Sequence, residues 1–590
     1  MGHEKIFANA FVHHKGDRFK EAIELYKSLL DINFQKKRPQ LLLLLGICEI
    51  QTNDFLDALK HITSYIEIDS NDHLAFYYSG KALEKLERYE DALVSLNKSL
   101  KLNCDFIDAI KLSGVVLGRL GEHENALQYF ERAIALNKNE VRTHIDKGLA
   151  LKELGRLEES ITSLDVALGL DPSSLVALNY KGIVLHLSGA YEEALKCFNG
   201  ALEIKPDFAD ALINSGVELE RLNKFNESIN VLNQAILIKA NNPEAFNNLG
   251  QSLERVGNYD EALKNYNQAI SLNSLIRRYH NNKALLNLHL KNFEEGWPRF
   301  DFRLKHDYVH EINFKLDQIF IHNEQGIGDE ILYGSLLNDL SKDFKEIFVK
   351  INPRLIKLFK RSFPQINFVT DDAVDFNNHL FMGSLGGIYR KNLESFEFQS
   401  ERYLFSDQLK KEAFRHDLRK RFGGKFLCGI SWKSSAEKIS DFKSFKLLDL
   451  MPILSLKNIV FINLQYGEIS EDINLLYKSQ GIKIETIDNL DYFNDIESLA
   501  SLIDACDFVV SSSNVTAHLA GALGKKTYLL TPFSKGRIWY WHHNDKKSIW
   551  YPSVNNYYQS SLDSWKDPIE NLSKDILQDF SIVTNSSNPS

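Results

Sequence analysis

Seven glycines, Gly46, Gly80, Gly114, Gly148, Gly182, Gly216 and Gly250, stand 34 residues apart, and nothing else in this 590-residue chain limits its fold as strongly. Twelve residues after each comes a small one: Ala58, Ala92, Ala126, Ser160, Ala194, Ser228 and Ala262. The stretches between them are amphipathic at helical spacing, as in ALNYKGIVLHLSGAYEEALKCFNGALEIKP, with Pro172 and Pro206 closing two of the units. A glycine on one helix and a small residue on the next allow two antiparallel backbones to approach closely. Such a pair cannot bury its apolar face alone, so successive pairs must stack into a superhelix. The first unit, with GDRFKEAIELYKSLL, is out of register by two residues, and the last replaces the glycine with Ala284 and the small residue with Gly296. Both behave as atypical ends.

The period, the glycine and the small residue resemble the tetratricopeptide repeat over residues 1 to about 305. Two residues before each repeat glycine stand Leu44, Tyr78, Leu112, Asp146, Tyr180, Asn214 and Asn248, with Asn282 in the same register of the last unit. Asparagine amides pair with both N–H and C=O of an extended peptide. Asn214, Asn248 and Asn282 thus resemble the peptide-holding row of the eukaryotic protein O-GlcNAc transferases, which implies a groove for an acceptor peptide; solvated positions on a concave wall are the other reading.

The chain is too long for one core. Its net charge of -9 gives no general reason to expect nucleic acid or an anionic membrane as partner. Five cysteines, at 48, 104, 197, 428 and 506, lack CxxC spacing, so neither a disulfide framework nor a zinc site is expected. The N-terminal stretch has no long apolar core before a cleavage site, and the run LLLLLGI at 41–47 is too short to span a bilayer. A cytoplasmic protein without an integral membrane segment is expected.

From about residue 316 the pattern changes. DQIFIHNEQGIGDEILYGSLLNDLSKDFKEIFVKINPRLIKLFKRSFPQINFV reads strand, glycine turn, helix, strand, helix, strand, the start of a parallel sheet with crossover helices. A second such unit starts at KFLCGISWKSS and runs through NIVFINLQYG to DFVVSSSNVTAHLAGALGKKTYLLTP, after a helical connector. Two doubly wound halves in series predict a cleft at the carboxyl ends of the strands.

NEQGIGDEILYGSLL, LFMGSLGGIYR, GISWKSS, FINLQYG, AHLAGALGKKTYLL and SIWYPSV, in this order, resemble the catalytic region of bacterial tetratricopeptide-repeat glycosyltransferases, related to the heptosyltransferases of the two-lobed GT-B fold. The resemblance covers roughly 307–560. It implies an α-solenoid (1–306), an acceptor-side α/β lobe (307–405), a helical connector (406–424) and a nucleotide-sugar lobe (425–580). It also implies transfer from a nucleotide-sugar to an acceptor, with no obligatory metal and no cofactor. The expected acceptor is a protein Ser or Thr hydroxyl presented by the repeats. An inactive repeat scaffold, and a transferase acting on glycan or lipid precursors, are the alternatives.

Sugar transfer needs a base for the acceptor hydroxyl and positive or dipolar stabilisation of the leaving diphosphate. Asp329 matches the family's Gly-Asp carboxylate and is the expected base; helix capping is its other reading. Glu324 and Glu330 are neighbouring carboxylates. Gly326 and Gly328 are expected to let backbone approach a ligand. Ser512, Ser513, Asn514 and Thr516, at a helix start after the strand DFVV, are candidates for holding the donor phosphates, or caps. The family commonly has Asp-Thr where Ser513 and Asn514 stand. His518 matches the family histidine, with core packing as alternative. Lys433 matches a basic position directed at the diphosphate, and Gln465 is a candidate for the base or ribose. TDDAVD at 370–375 reads as a loop, GIGDEI lacks the third glycine of a dinucleotide fingerprint, and Ser384 lies in no nucleophile elbow.

Overall fold

The computed structural model describes residues 2–31, 37–304, 312–371, 376–434, 440–542, 545–562 and 564–581. It divides into two compact units, Met1–Asn241 and Asn242–Ser590. TDDAVD lies outside the described residues from position 372 onward.

The first unit is a helical solenoid of seven helix pairs among its described residues, from Gly2–Lys15 to Phe225–Ile238. Each repeat glycine lies under a large side chain of the partner helix. A Cβ on Gly80 would meet Leu96 Cγ at 2.7 Å, and one on Gly114 would meet Phe130 Cε1 at 2.6 Å. Where serine takes the place of alanine, its hydroxyl goes to the glycine carbonyl: Ser160 Oγ donates to Gly148 O at 2.6 Å and Ser228 Oγ to Gly216 O at 2.7 Å. The two helices of a pair are joined through one residue in the left-handed region. That residue is Asn53 (φ 66°), Glu87 (59°), Gly121 (80°), Gly155 (73°), Gly189 (84°) and Asn223 (62°) in successive pairs. This second 34-residue row is weaker in the sequence because only half of it is glycine.

The second unit opens with two more helix pairs, Pro243–Arg255 with Tyr259–Leu272 and Arg277–His289 with Phe293–Phe300. A four-stranded sheet comes next: β1 (Gln318–His322), β2 (Glu346–Lys350), β3 (Asn367–Val369) and β4 (His379–Phe381), in the order β3-β2-β1-β4. The six-stranded sheet has β5 (Phe426–Ser431), β6 (Ile459–Asn463), β7 (Ile484–Glu485), β8 (Phe508–Ser512), β9 (Thr527–Thr531) and β10 (Val554–Tyr558), in the order β10-β9-β8-β5-β6-β7. All these pairings are parallel. β5, β8 and β9 are buried along nearly their whole length, as crossover helices on both faces require. The connector helix, Gln408–Phe422, is capped by Asp407 and packs against Ile496–Ala505.

The division between units falls inside the repeats, ahead of position 306. Phe293, Trp297 and Phe300 of the last repeat helix share one buried cluster with Ile319, Ile321 and Ile347 of the first sheet. Trp297 Nε1 donates to Arg390 O at 2.7 Å, and its indole lies where a Cβ on Gly386 would have to be. Among the described residues no helix is long and apolar enough to cross a membrane.

Candidate functional site

The loop after β1 turns through Gln325, held at φ 61°, and enters the helix Ile327–Gly334. A side chain in the left-handed region at such a turn stores strain of order 1–2 kcal/mol, which the packed surroundings must hold. Asp329, third residue of that helix, closes it as a cap: Gly326 N donates to Asp329 Oδ2 at 3.1 Å. Its Oδ1 accepts no side-chain hydrogen bond among the described residues. The neighbouring carboxylates are committed elsewhere. Glu324 is paired with Arg303 through both oxygens and accepts Gly383 N at 2.7 Å. Glu330 is buried and accepts Asn352 N at 2.8 Å and Asn323 Nδ2 at 3.2 Å.

Asp329 lines two cavities. One, of about 360 Å³, runs between the last repeats and the loop at 534–539, with Gln251, Asn281, Asn282 and Arg537 on its wall. The other, of about 310 Å³, is bounded by Gly326, Gly328, Lys443, Tyr466, Phe493, Ser513, Asn514 and His518. Burial pushes the Asp329 carboxyl up to about 6, against the pull of the Gly326 N–H and Lys443. Lys443 is itself buried, 4% exposed, with no ion-pair partner among the described residues. Burial pushes its ammonium down to about 8, partly offset by Asp329. Residue spacing does not single out Lys443. It is one of several lysines in a polar stretch, and only the fold turns it inward.

The six-stranded sheet delivers β8 and the helix Val515–Ala522 to this second cavity. Ser513 Oγ accepts Trp541 Nε1 at 2.9 Å. Asn514 caps the helix, accepting Thr516 N at 3.0 Å, while its Nδ2 donates to Ser431 Oγ at 2.7 Å, Lys433 O at 2.9 Å and Ser512 Oγ at 3.1 Å. Ser512 and Thr516 are fully buried, and Thr516 Oγ1 donates to Leu464 O at 3.3 Å. Gln465 is buried and organises the end of β5, accepting Trp432 N at 2.8 Å and Lys433 N at 2.7 Å. The Lys433 ammonium is ion-paired with Asp472. Lys433, Gln465, Ser512 and Thr516 are therefore not among the residues lining the cavity; they hold the strand ends that frame it.

His518 is buried with both ring nitrogens occupied: Nδ1 lies 2.8 Å from Tyr551 Oη and Nε2 3.2 Å from Tyr540 Oη. Burial pushes it down to about 3, so the ring is neutral at physiological pH. Its Cδ2 would lie 2.9 Å from a Cβ on Gly328. Gly328 thus makes room for the histidine ring, whereas a Cβ on Gly326 would meet only Asp329 Oδ2, at 3.6 Å. Of the asparagine row, Asn282 lines the first cavity and donates to Asn247 Oδ1 at 2.9 Å. Asn248 accepts Asn247 Nδ2 at 3.3 Å, and Asn214, in the first unit, donates to Asn179 Oδ1 at 2.9 Å.

Tetratricopeptide-repeat family models match residues 243–274, 218–257, 111–175 and 145–209. The chain carries tetratricopeptide repeats. Protein FlbA of Caulobacter vibrioides (strain ATCC 19089 / CIP 103742 / CB 15) is 25% identical over 336 residues, 50% of this chain and 54% of FlbA. The chain thus matches about half the length of that relative. Among solved structures, YrrB, described as a TPR protein with an unusual peptide-binding site, is 24% identical, covering 31% of this chain and 95% of YrrB with a TM-score of 0.27. A tetratricopeptide-repeat protein from Parabacteroides merdae ATCC 43184 is 16% identical, covering 42% of this chain and 98% of its own with a TM-score of 0.37.

Proposed function

We propose that the second unit transfers a sugar from a nucleotide-sugar to a hydroxyl of an acceptor, with Asp329 as general base. The repeats indicate a protein-interaction surface, which supports a polypeptide acceptor, and the two parallel sheets are read as the lobes of a GT-B transferase. One observation carries the proposal: Asp329, its carboxyl pushed up to about 6, borders both the cavity walled by repeat residues and the one walled by Lys443 and the start of the helix Val515–Ala522. An acceptor in the first and a donor in the second meet at that carboxylate.

In the reaction, Asp329 takes the proton of the acceptor hydroxyl as its oxygen bonds to the anomeric carbon. The bond from that carbon to the donor phosphate breaks, and the electron pair leaves on the phosphate oxygen. The Lys443 ammonium offsets that charge. In this reading the chain itself supplies the cation, and no cofactor takes part. His518 holds the wall next to Gly328.

Asp329→Asn tests the assignment. It is expected to lower transfer by ~10²–10⁴-fold while nucleotide binding, followed by thermal shift against UDP-, GDP-, ADP- and CMP-sugars, is retained. Undiminished transfer by the variant, read as added mass on acceptor proteins, rules Asp329 out as the base.

A further inference from the structure

The cavity beside Asp329 has an end that the transfer step does not use. Tyr466 stands just after β6, and Phe493 stands in the turn Asp491–Asn494, their ring centroids 6.0 Å apart. Hydrogen bonds close the turn: Asp491 Oδ1 accepts Phe493 N at 3.0 Å and Asn494 N at 2.9 Å, and Asp491 Oδ2 accepts Asn494 Nδ2 at 2.9 Å. The neighbouring Tyr492 Oη is tied to Ile487 N at 2.9 Å. Phe493 borders the cavity and keeps 49% of its surface exposed, so its ring is open to a ligand. One cavity therefore carries aromatic rings together with a buried ammonium that has no ion-pair partner among the described residues. That combination suits a planar base joined to phosphates.

A residue from beyond β2 closes on this wall. Arg354 has its guanidinium carbon 4.5 Å from the Phe493 ring centroid, and its Nη1 donates to Phe493 O at 3.1 Å. Asn352 Oδ1 accepts Arg354 N at 3.1 Å and Nε at 3.2 Å, and Asn352 N donates to Glu330 Oε2 at 2.8 Å. Glu330 adjoins Asp329 on the same helix. An unbroken set of hydrogen bonds thus runs from the Phe493 turn, through Arg354 and Asn352, to the helix bearing the carboxylate.

We propose that Phe493 and Tyr466 form the stacking wall for the nucleobase of the donor, and that Arg354 is a positioning residue linking this wall to the Asp329 helix. The proposal rests on the transferase reading and adds to it where the base sits. Stacking by an aromatic ring is tolerant of base identity, so selection among bases is left to groups at the rim.

The test titrates the full chain by calorimetry with UDP, GDP, ADP and CDP, and separately with inorganic pyrophosphate. Wild type is expected to bind at least one nucleoside diphosphate. Phe493→Ala is expected to weaken that binding by ~tenfold and leave pyrophosphate binding unchanged. Arg354→Ala is expected to raise the donor KM and also lower kcat; Arg354→Lys, which keeps the charge but not the planar fork, restores part of the loss. Saturation-transfer NMR gives a second measurement that does not depend on pyrophosphate: base protons receive saturation from wild type and lose it selectively in Phe493→Leu. Equal loss of nucleotide and pyrophosphate binding, unchanged nucleotide binding in Phe493→Ala, or base protons saturated equally in both chains overturns the wall and leaves the transferase reading standing. A wild-type chain that binds no nucleoside diphosphate overturns both.

Discussion

Asp329 and Lys443 face one cavity with their proton affinities moved toward each other, the carboxyl up to about 6 and the ammonium down to about 8, each mainly by burial. The proposed transfer needs the carboxylate ionised and the ammonium charged. The rate is therefore expected to rise with pH through about 6 and fall through about 8, a bell seen in kcat/KM against pH. Stability depends on the same carboxyl in the opposite sense. A carboxyl whose folded value lies above its unfolded one holds its proton more tightly in the fold, so its contribution is largest at low pH and is lost as pH rises through about 6. Asp329→Asn lacks that penalty, and its stability relative to wild type is expected to improve by ~1 kcal/mol between pH 5 and pH 7.5 in urea melts. Gly328 is a steric counterpart. A methyl there would meet a histidine ring fixed by Tyr551 and Tyr540. Gly328→Ala is expected to cost ~1–3 kcal/mol, measured the same way, because neither ring nor backbone has room to give.

Within each repeat, two rows of positions set the geometry. The glycines under Leu96, Phe130 and Leu164 fix how closely two helices approach, and the left-handed row fixes how the chain turns between them. Glu87 occupies that second row at φ 59°, where glycine stands at Gly121, Gly155 and Gly189. Relief of its strain is expected to outweigh the greater freedom of an unfolded glycine, so Glu87→Gly should stabilise by ~1 kcal/mol and Gly121→Ala destabilise by a similar amount in thermal melts. The first row is legible in the sequence because glycine has no substitute beneath a leucine or phenylalanine. The second is not, because asparagine and a strained glutamate also fill it.

For the whole molecule, the informative boundary lies at 241/242 and not where the helical period stops. Phe293, Trp297 and Phe300 are repeat residues by sequence pattern and core residues of the sheet-bearing unit by burial. A chain of residues 242–590 is expected to fold and bind nucleotide. One of residues 307–590 is expected to lose both, because it removes the Trp297 indole from Gly386 and Arg390. Circular dichroism and thermal shift on the two fragments decide this.

The helical repeats are already written in the residue order, since a 34-residue spacing of glycine and small residues leaves the backbone no other close packing. So are the parallel strands after residue 316 and the position of Asp329 at a glycine turn entering a helix. These are local patterns, and local sterics enforce them. Which side chains meet at that turn is settled by the folded chain alone. Lys433, Lys443 and the other lysines nearby are alike as letters, yet one pairs with Asp472 and another is buried beside Asp329. Gln465, Ser512 and Thr516 are drawn into the frame of the site because buried polar atoms at strand ends must find partners within the protein. His518 is filled on both nitrogens by tyrosines far away in the chain. Desolvation and long-range contact assign those roles, and neither is written in residue spacing.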